Sequence, residues 1–74
     1  MIEMYHIELL EPSAEGGRVL RRTSVRSASV EPVKDRARRL FQRSRAPGSR
    51  TAEVEGVRVL NGAGHEVFSL NVND

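Results

Sequence analysis

Side chains able to transfer protons, attack electrophiles or bind metal are sparse in this 74-residue chain and poorly spaced for joint work. His6 and His65 are the only histidines, far apart in sequence, and there is no cysteine to complete a ligand set. A tetrahedral metal centre needs paired ligands at short spacing, so no metal is expected. A nucleophilic serine needs a base within hydrogen-bond reach and a third group to orient that base. Ser24, Ser27 and Ser29 cluster where turn and cap chemistry explains them, and no G-x-S-x-G occurs. The carboxylate pairs Glu8/Glu11 and Glu53/Glu55 fall on expected strand edges and turns, with no apolar pocket implied to raise a pKa. Gly16-Gly17 and Gly62-Ala63-Gly64 lack the strand-to-helix setting of a phosphate loop and read as hairpin turns. A chain this short also has little room for the ~300 Å³ of a small-molecule site, unless a dimer interface supplies it. The expectation is a protein without catalytic residues and without a cofactor.

Charge is the pattern that remains. Net charge is only +2, yet residues 18–50 hold eleven of the twelve basic residues against Glu31 and Asp35, a local excess of +9. The rest of the chain sets Arg58 against eight carboxylates, a balance of −7. Such segregation predicts a basic surface on one part of the fold and an acidic one elsewhere. Lys34, Arg38, Arg39, Arg43, Arg45 and Arg50 are the residues expected to meet a phosphate backbone if the partner is a nucleic acid. Arginine suits such contacts because its planar fork grips two phosphate oxygens at once. Against this stand the lack of a helix-turn-helix and of the aromatic pair that RNA-binding sheets use for stacking. The plain structural account is a solvated helix face, with Asp35 pairing Arg39 at i,i+4 or the arginines meeting the acidic strands. A third arrangement would set the acidic part of one subunit against the basic part of another.

The elements that must position these groups follow from periodicity. Residues 2–10 alternate Tyr5, Ile7 and Leu9 with Met4, His6, Glu8 and Leu10, a strand, and Pro12 ends it. Ser13 to Gly17 reverse the chain, and Arg18 to Arg26 form a second strand favoured by Val19, Thr23 and Val25. Val30, Val33, Ala37, Leu40 and Phe41 then recur at helical spacing, predicting a helix over residues 30–45 with Ser29 as its cap and Pro32 in its first turn. Pro47 and Gly48 stop it in a flexible loop at about residues 45–52. Val54 to Leu60 and His65 to Val72 read as a second hairpin closed by Asn61 to Gly64. Pairing Leu60 with His65 would set Val57 opposite Phe68 and Val59 opposite Glu66, with Gly56 marking a bulge.

The predicted fold is α+β: ββαββ, a four-stranded, mainly antiparallel sheet with one amphipathic helix on one face, in a single domain spanning residues 1–74. A chain of this size buries only about 60–65 % of its unfolded surface. Without disulfides, packing or self-association must supply its stability. One helix covers one sheet face, so the other meets water or a partner. By the predicted pairing that second face carries Met4, Leu10, Val54, Leu60 and Val67, with Leu20 from the second strand. A contiguous aliphatic patch there would be unusual for a small monomer. The preferred functional expectation is therefore a non-enzymatic interaction module, a homodimer or the partner of another protein, using that face or an exposed edge strand. The alternative is a nucleic-acid-binding protein using the basic segment 18–50. No apolar run approaches the ~20 residues of a membrane span and no signal-peptide pattern opens the chain, so the default compartment is the cytoplasm.

The ββαββ order with a basic amphipathic helix resembles small bacterial proteins of unassigned function. In topology it is distantly similar to sheet-plus-helix modules of toxin–antitoxin and RNA-binding systems. No motif chooses among these, and no functional residue is carried over from them.

Overall fold

The computed structural model describes residues 2–11, 18–44 and 54–71. Its elements run β1 (Glu3–Glu11), β2 (Arg18–Ser27), α1 (Glu31–Ser44), β3 (Gly56–Leu60) and β4 (Glu66–Asn71). The four strands form one antiparallel sheet in the order β2-β1-β3-β4, with α1 packed on one face. The expected ββαββ fold is thus present. Two hairpins, β1–β2 and β3–β4, meet side by side. Because β2 and β3 both run antiparallel to β1 they are parallel to each other, and such strands need a long crossover. That crossover is α1, which packs chiefly on β3 and also on β1.

The core lies between helix and sheet. Tyr5, Ile7 and Leu9 of β1 and Val57 and Val59 of β3 are buried against Val33, Ala37 and Phe41 of α1. Leu20, Val25, Val30, Leu40, Phe68 and Leu70 close its margins. Ala37 has no exposed surface, its small side chain letting the helix approach the sheet closely. Burial pushes the Tyr5 hydroxyl above its ordinary pKa, an effect reinforced by a hydrogen bond to Glu3 and by the Glu3 charge.

Local chemistry differs from the sequence expectation at three points. The first intrahelical bond runs from the Lys34 N–H to the Val30 carbonyl, so Val30 occupies the cap position. Ser29, expected there, lies one residue earlier and instead pairs with Ser27, whose hydroxyl donates to the Ser29 carbonyl at 2.7 Å. The second hairpin is also shifted from the expected register, by two residues where Val57 faces Leu70 and Val59 faces Phe68, and by one where Leu60 faces Glu66. Asn61 sets this register. Its carbonyl accepts from the Gly64 N–H, and its Oδ1 accepts from the N–H groups of Ala63 and His65. Gly64, at φ 85°, takes the left-handed conformation that a side chain would oppose. An irregularity follows between Val59 and Leu60, at the opposite end of β3 from Gly56.

Gly56 has a different purpose. A Cβ there would meet the Leu70 carbonyl oxygen at 2.9 Å, closer than backbone and side chain can approach, so glycine is required for β3 to lie against β4. Gly56→Ala is expected to cost about 1–3 kcal/mol. Gly62→Ala, where a Cβ meets only Glu3 side-chain atoms and backbone at 3.4 Å or more, should stay within about 0.5 kcal/mol. Urea midpoints of the two variants would check this. Equal midpoints would show that β3 and β4 tolerate the wider spacing.

Val54 was expected on the open face by alternation, but it is only 4 % exposed and belongs to the core. The period of two holds inside a strand, and β3 starts at Gly56, after Val54. Leu20 likewise packs on the core, beside a register shift opposite Leu9 and Leu10 that turns it inward. The expected loop at about residues 45–52, the turn from Ser13 to Gly17, and Val72 lie outside the described residues.

Candidate nucleic-acid interface

The 3.6-residue period of α1 divides its basic side chains into two flanks. Lys34 and Arg38 project from one flank toward β4. The Lys34 ammonium lies 5.7 Å and the Arg38 guanidinium 5.1 Å from the centre of the Phe68 ring, over its electron-rich face. Each also meets a carboxylate on the preceding turn: Lys34 donates to Glu31 at 3.4 Å and Arg38 to Asp35 at 2.9 Å. The expected partner of Asp35 was Arg39, and Arg38 takes its place. Exposed i,i+3 pairs contribute only about 0.3–0.5 kcal/mol, but they cancel charge locally. This flank is close to neutral and shields an aromatic ring.

Arg36, Arg39 and Arg43 stand on the other flank at i, i+3 and i+7. They line an open groove of about 230 Å³ around the half-buried Leu40. All three are exposed, and none makes an ion pair among the described residues. Since Lys34 and Arg38 lean toward β4 at one sheet edge, this flank looks toward β2 at the other. Arg21 of β2, paired opposite the core residue Leu9, stands exposed on the helix side of the sheet and is also without an ion pair among the described residues. The basic residues named from sequence therefore separate. Arg39 and Arg43 belong to an uncompensated surface, Lys34 and Arg38 do not, and Arg45 and Arg50 lie outside the described residues. Arg36 was missed, although its i, i+3, i+7 relation to Arg39 and Arg43 was visible.

The open sheet face is organised around a carboxylate. Glu8, read from sequence as an edge or turn residue, sits on the central strand β1 and is only 6 % exposed, the one buried charged side chain among the described residues. Arg58 of β3 donates to it at 2.5 Å, and Arg22 of β2 approaches its other oxygen at 3.6 Å. Both arginines are cross-strand neighbours of Glu8 and fold over it. Around this cluster lie Met4, Val19 and Val67, each 36–40 % exposed, with half-buried Leu10 and Leu60. Four of the five residues expected there, Met4, Leu10, Leu60 and Val67, are thus outside the core, and Val54 is not.

On the same face the His6 Nδ1 and Ser24 Oγ are 2.9 Å apart. No third group orients the imidazole among the described residues, and Ser24 lies exposed on a flat sheet, so the pair lacks the arrangement of a nucleophile and its base. Among the described residues no three metal-ligating side chains converge, and no helix is long and apolar enough to cross a membrane.

No family, curated protein or solved structure matches the chain.

Proposed function

We propose that this protein is a non-catalytic binding module that holds the phosphate backbone of a nucleic acid along the Arg36–Arg39–Arg43 flank of α1. The observation that carries this reading is three exposed arginines around one groove with no carboxylate answering them among the described residues. Like charges gathered without compensation repel one another, and a polyanion relieves that repulsion while releasing its own counterions. Arg21 is a further exposed arginine on the helix side of β2, without an ion pair among the described residues.

The other expectation, self-association through the open sheet face, draws less support. Stable interfaces place apolar side chains at the centre and polar ones at the rim. Here the order is reversed. The Arg22–Glu8–Arg58 cluster holds the centre, with Met4, Val19 and Val67 around it.

Fluorescence anisotropy with a labelled mixed-sequence oligonucleotide tests the proposal. Binding tighter than about 100 µM is expected at low salt, weakening steeply as salt rises. No binding at that level would remove the nucleic-acid function and return the open sheet face to first place. Sedimentation equilibrium would then decide between a homodimer and a heterologous partner.

A further inference from the structure

We propose that the outer edge of β4 pairs, antiparallel, with the same edge of a second copy of this chain, joining two sheets into one with both helices on the same side. The proposal does not depend on the nucleic-acid reading, because Arg36, Arg39 and Arg43 stand on the other flank of α1 and stay open. A strand at the end of a sheet leaves N–H and C=O groups facing outward, and proteins that must stay single block such edges with charge or bulges. The order β2-β1-β3-β4 leaves two edges, and they are built differently. β2 carries Arg18, Arg21, Arg22 and Arg26, and its pairing is broken by the register shift between Leu9 and Leu10. β4 carries one charge, Glu66, at its start, and its irregularity lies at that same end. Phe68, Ser69 and Leu70 then form a regular, uncharged run against β3. Phe68 and Leu70 pack on the margin of the core and keep part of their surface exposed.

Charge selects a second copy as the occupant. A two-fold contact sets each surface against its own image, so a surface of one sign repels itself. The arginines of β2 exclude that edge. The β4 side is balanced, since α1 presents Lys34 and Arg38 above Phe68 together with their partners Glu31 and Asp35. Across the two-fold the helices run antiparallel. The row Glu31, Lys34, Asp35, Arg38 then meets its own reverse, which sets carboxylate toward cation at every position. Residues opposite one another in a sheet share a face. A two-fold at Ser69 therefore places Phe68 against Leu70 of the second copy on the helix side.

The experiment is sedimentation equilibrium of the full chain, without nucleic acid, at concentrations up to about 100 µM. A dimer is expected. Ser69→Lys, at an exposed position, sets two like charges face to face at the two-fold and should weaken the dimer about tenfold or more, with circular dichroism confirming the fold. Met4→Lys, on the open sheet face and away from this edge, should leave it unchanged. The chain has no cysteine, so Ser69→Cys gives a second, independent readout. Opposed residues of an antiparallel pair have Cα atoms about 4.5–5.5 Å apart, within disulfide reach. Mild oxidation should therefore cross-link this variant into a covalent dimer, and should leave Ser24→Cys on the β2 edge monomeric in denaturing electrophoresis. A parent that is monomeric at about 100 µM overturns the proposal. So does a dimer that a folded Ser69→Lys leaves intact, a dimer that Met4→Lys disrupts as strongly, which would place the contact on the open face, or cross-linking no faster through Ser69→Cys than through Ser24→Cys.

Discussion

Replacing Phe41 by alanine is expected to unfold much of the protein at room temperature. Phe41 is 7 % exposed and fills the core beside Val33 and Ala37, where α1 meets the sheet. Truncating a buried phenylalanine removes its transfer free energy and leaves a cavity, together costing about 3–5 kcal/mol. A chain of this length has about 4–11 kcal/mol in total. It contains no cysteine, so no disulfide offsets the loss. Leu40→Ala, one residue earlier, should cost distinctly less, because Leu40 is half-buried at the groove and keeps part of its surface in water when folded. Urea denaturation followed by circular dichroism checks both. A Phe41→Ala midpoint equal to that of the parent would mean that α1 is not anchored through this side chain.

The second large effect concerns binding. Reversing three charges together, Arg36→Glu, Arg39→Glu and Arg43→Glu, is expected to weaken nucleic-acid affinity about 100-fold or more at low salt, alike for all sequences. The fold should survive, since these side chains are exposed and make no ion pair among the described residues. Only the reversal at Arg43, which puts a carboxylate near the negative end of the helix, carries a small penalty of about 0.3–1 kcal/mol. Removing charge from the opposite flank by Lys34→Gln and Arg38→Gln should change affinity less than about threefold, because Glu31 and Asp35 already answer those cations. Affinity measured by anisotropy, with circular dichroism as the check on folding, separates the two flanks.

The fold was largely legible in the residues, because its elements follow from local periodicity. Alternation along Tyr5, Ile7 and Leu9 gave β1, and the recurrence of Val33, Ala37 and Phe41 gave the buried face of α1. Strand order was not legible, since a crossover helix leaves open which strand β3 joins. In retrospect the composition held a clue. β2 carries four arginines and is an edge, while the central β1 carries the buried aliphatics. Register failed at the second hairpin because it depends on which residue closes the turn, and the Asn61 side chain settles that by accepting two backbone N–H groups. Val54 was misplaced by extending alternation past the start of β3.

The candidate surface was half legible. Sequence shows that arginines crowd residues 18–50, but not which are neutralised. That depends on Phe68, more than twenty residues away, drawing Lys34 and Arg38 to one side of the helix. Glu8 was hidden for a similar reason. Its burial is produced by Arg22 and Arg58 on two neighbouring strands, and no local pattern announces a carboxylate covered from both sides.

In the proposed complex Arg36, Arg39 and Arg43 each neutralise a phosphate, and the salt dependence of binding measures that number directly. The parent and two variants, Arg36→Gln/Arg39→Gln/Arg43→Gln and Lys34→Gln/Arg38→Gln, should be titrated with a single-stranded oligonucleotide across a range of salt. Each lost phosphate contact lowers the steepness of log K against log salt by about 0.7, so the triple variant should lose about 2 units of slope and the double variant less than about 0.5. A triple variant with the parent's slope, or a double variant that loses as much, would place the contact elsewhere and contradict the assignment of this flank as the binding surface.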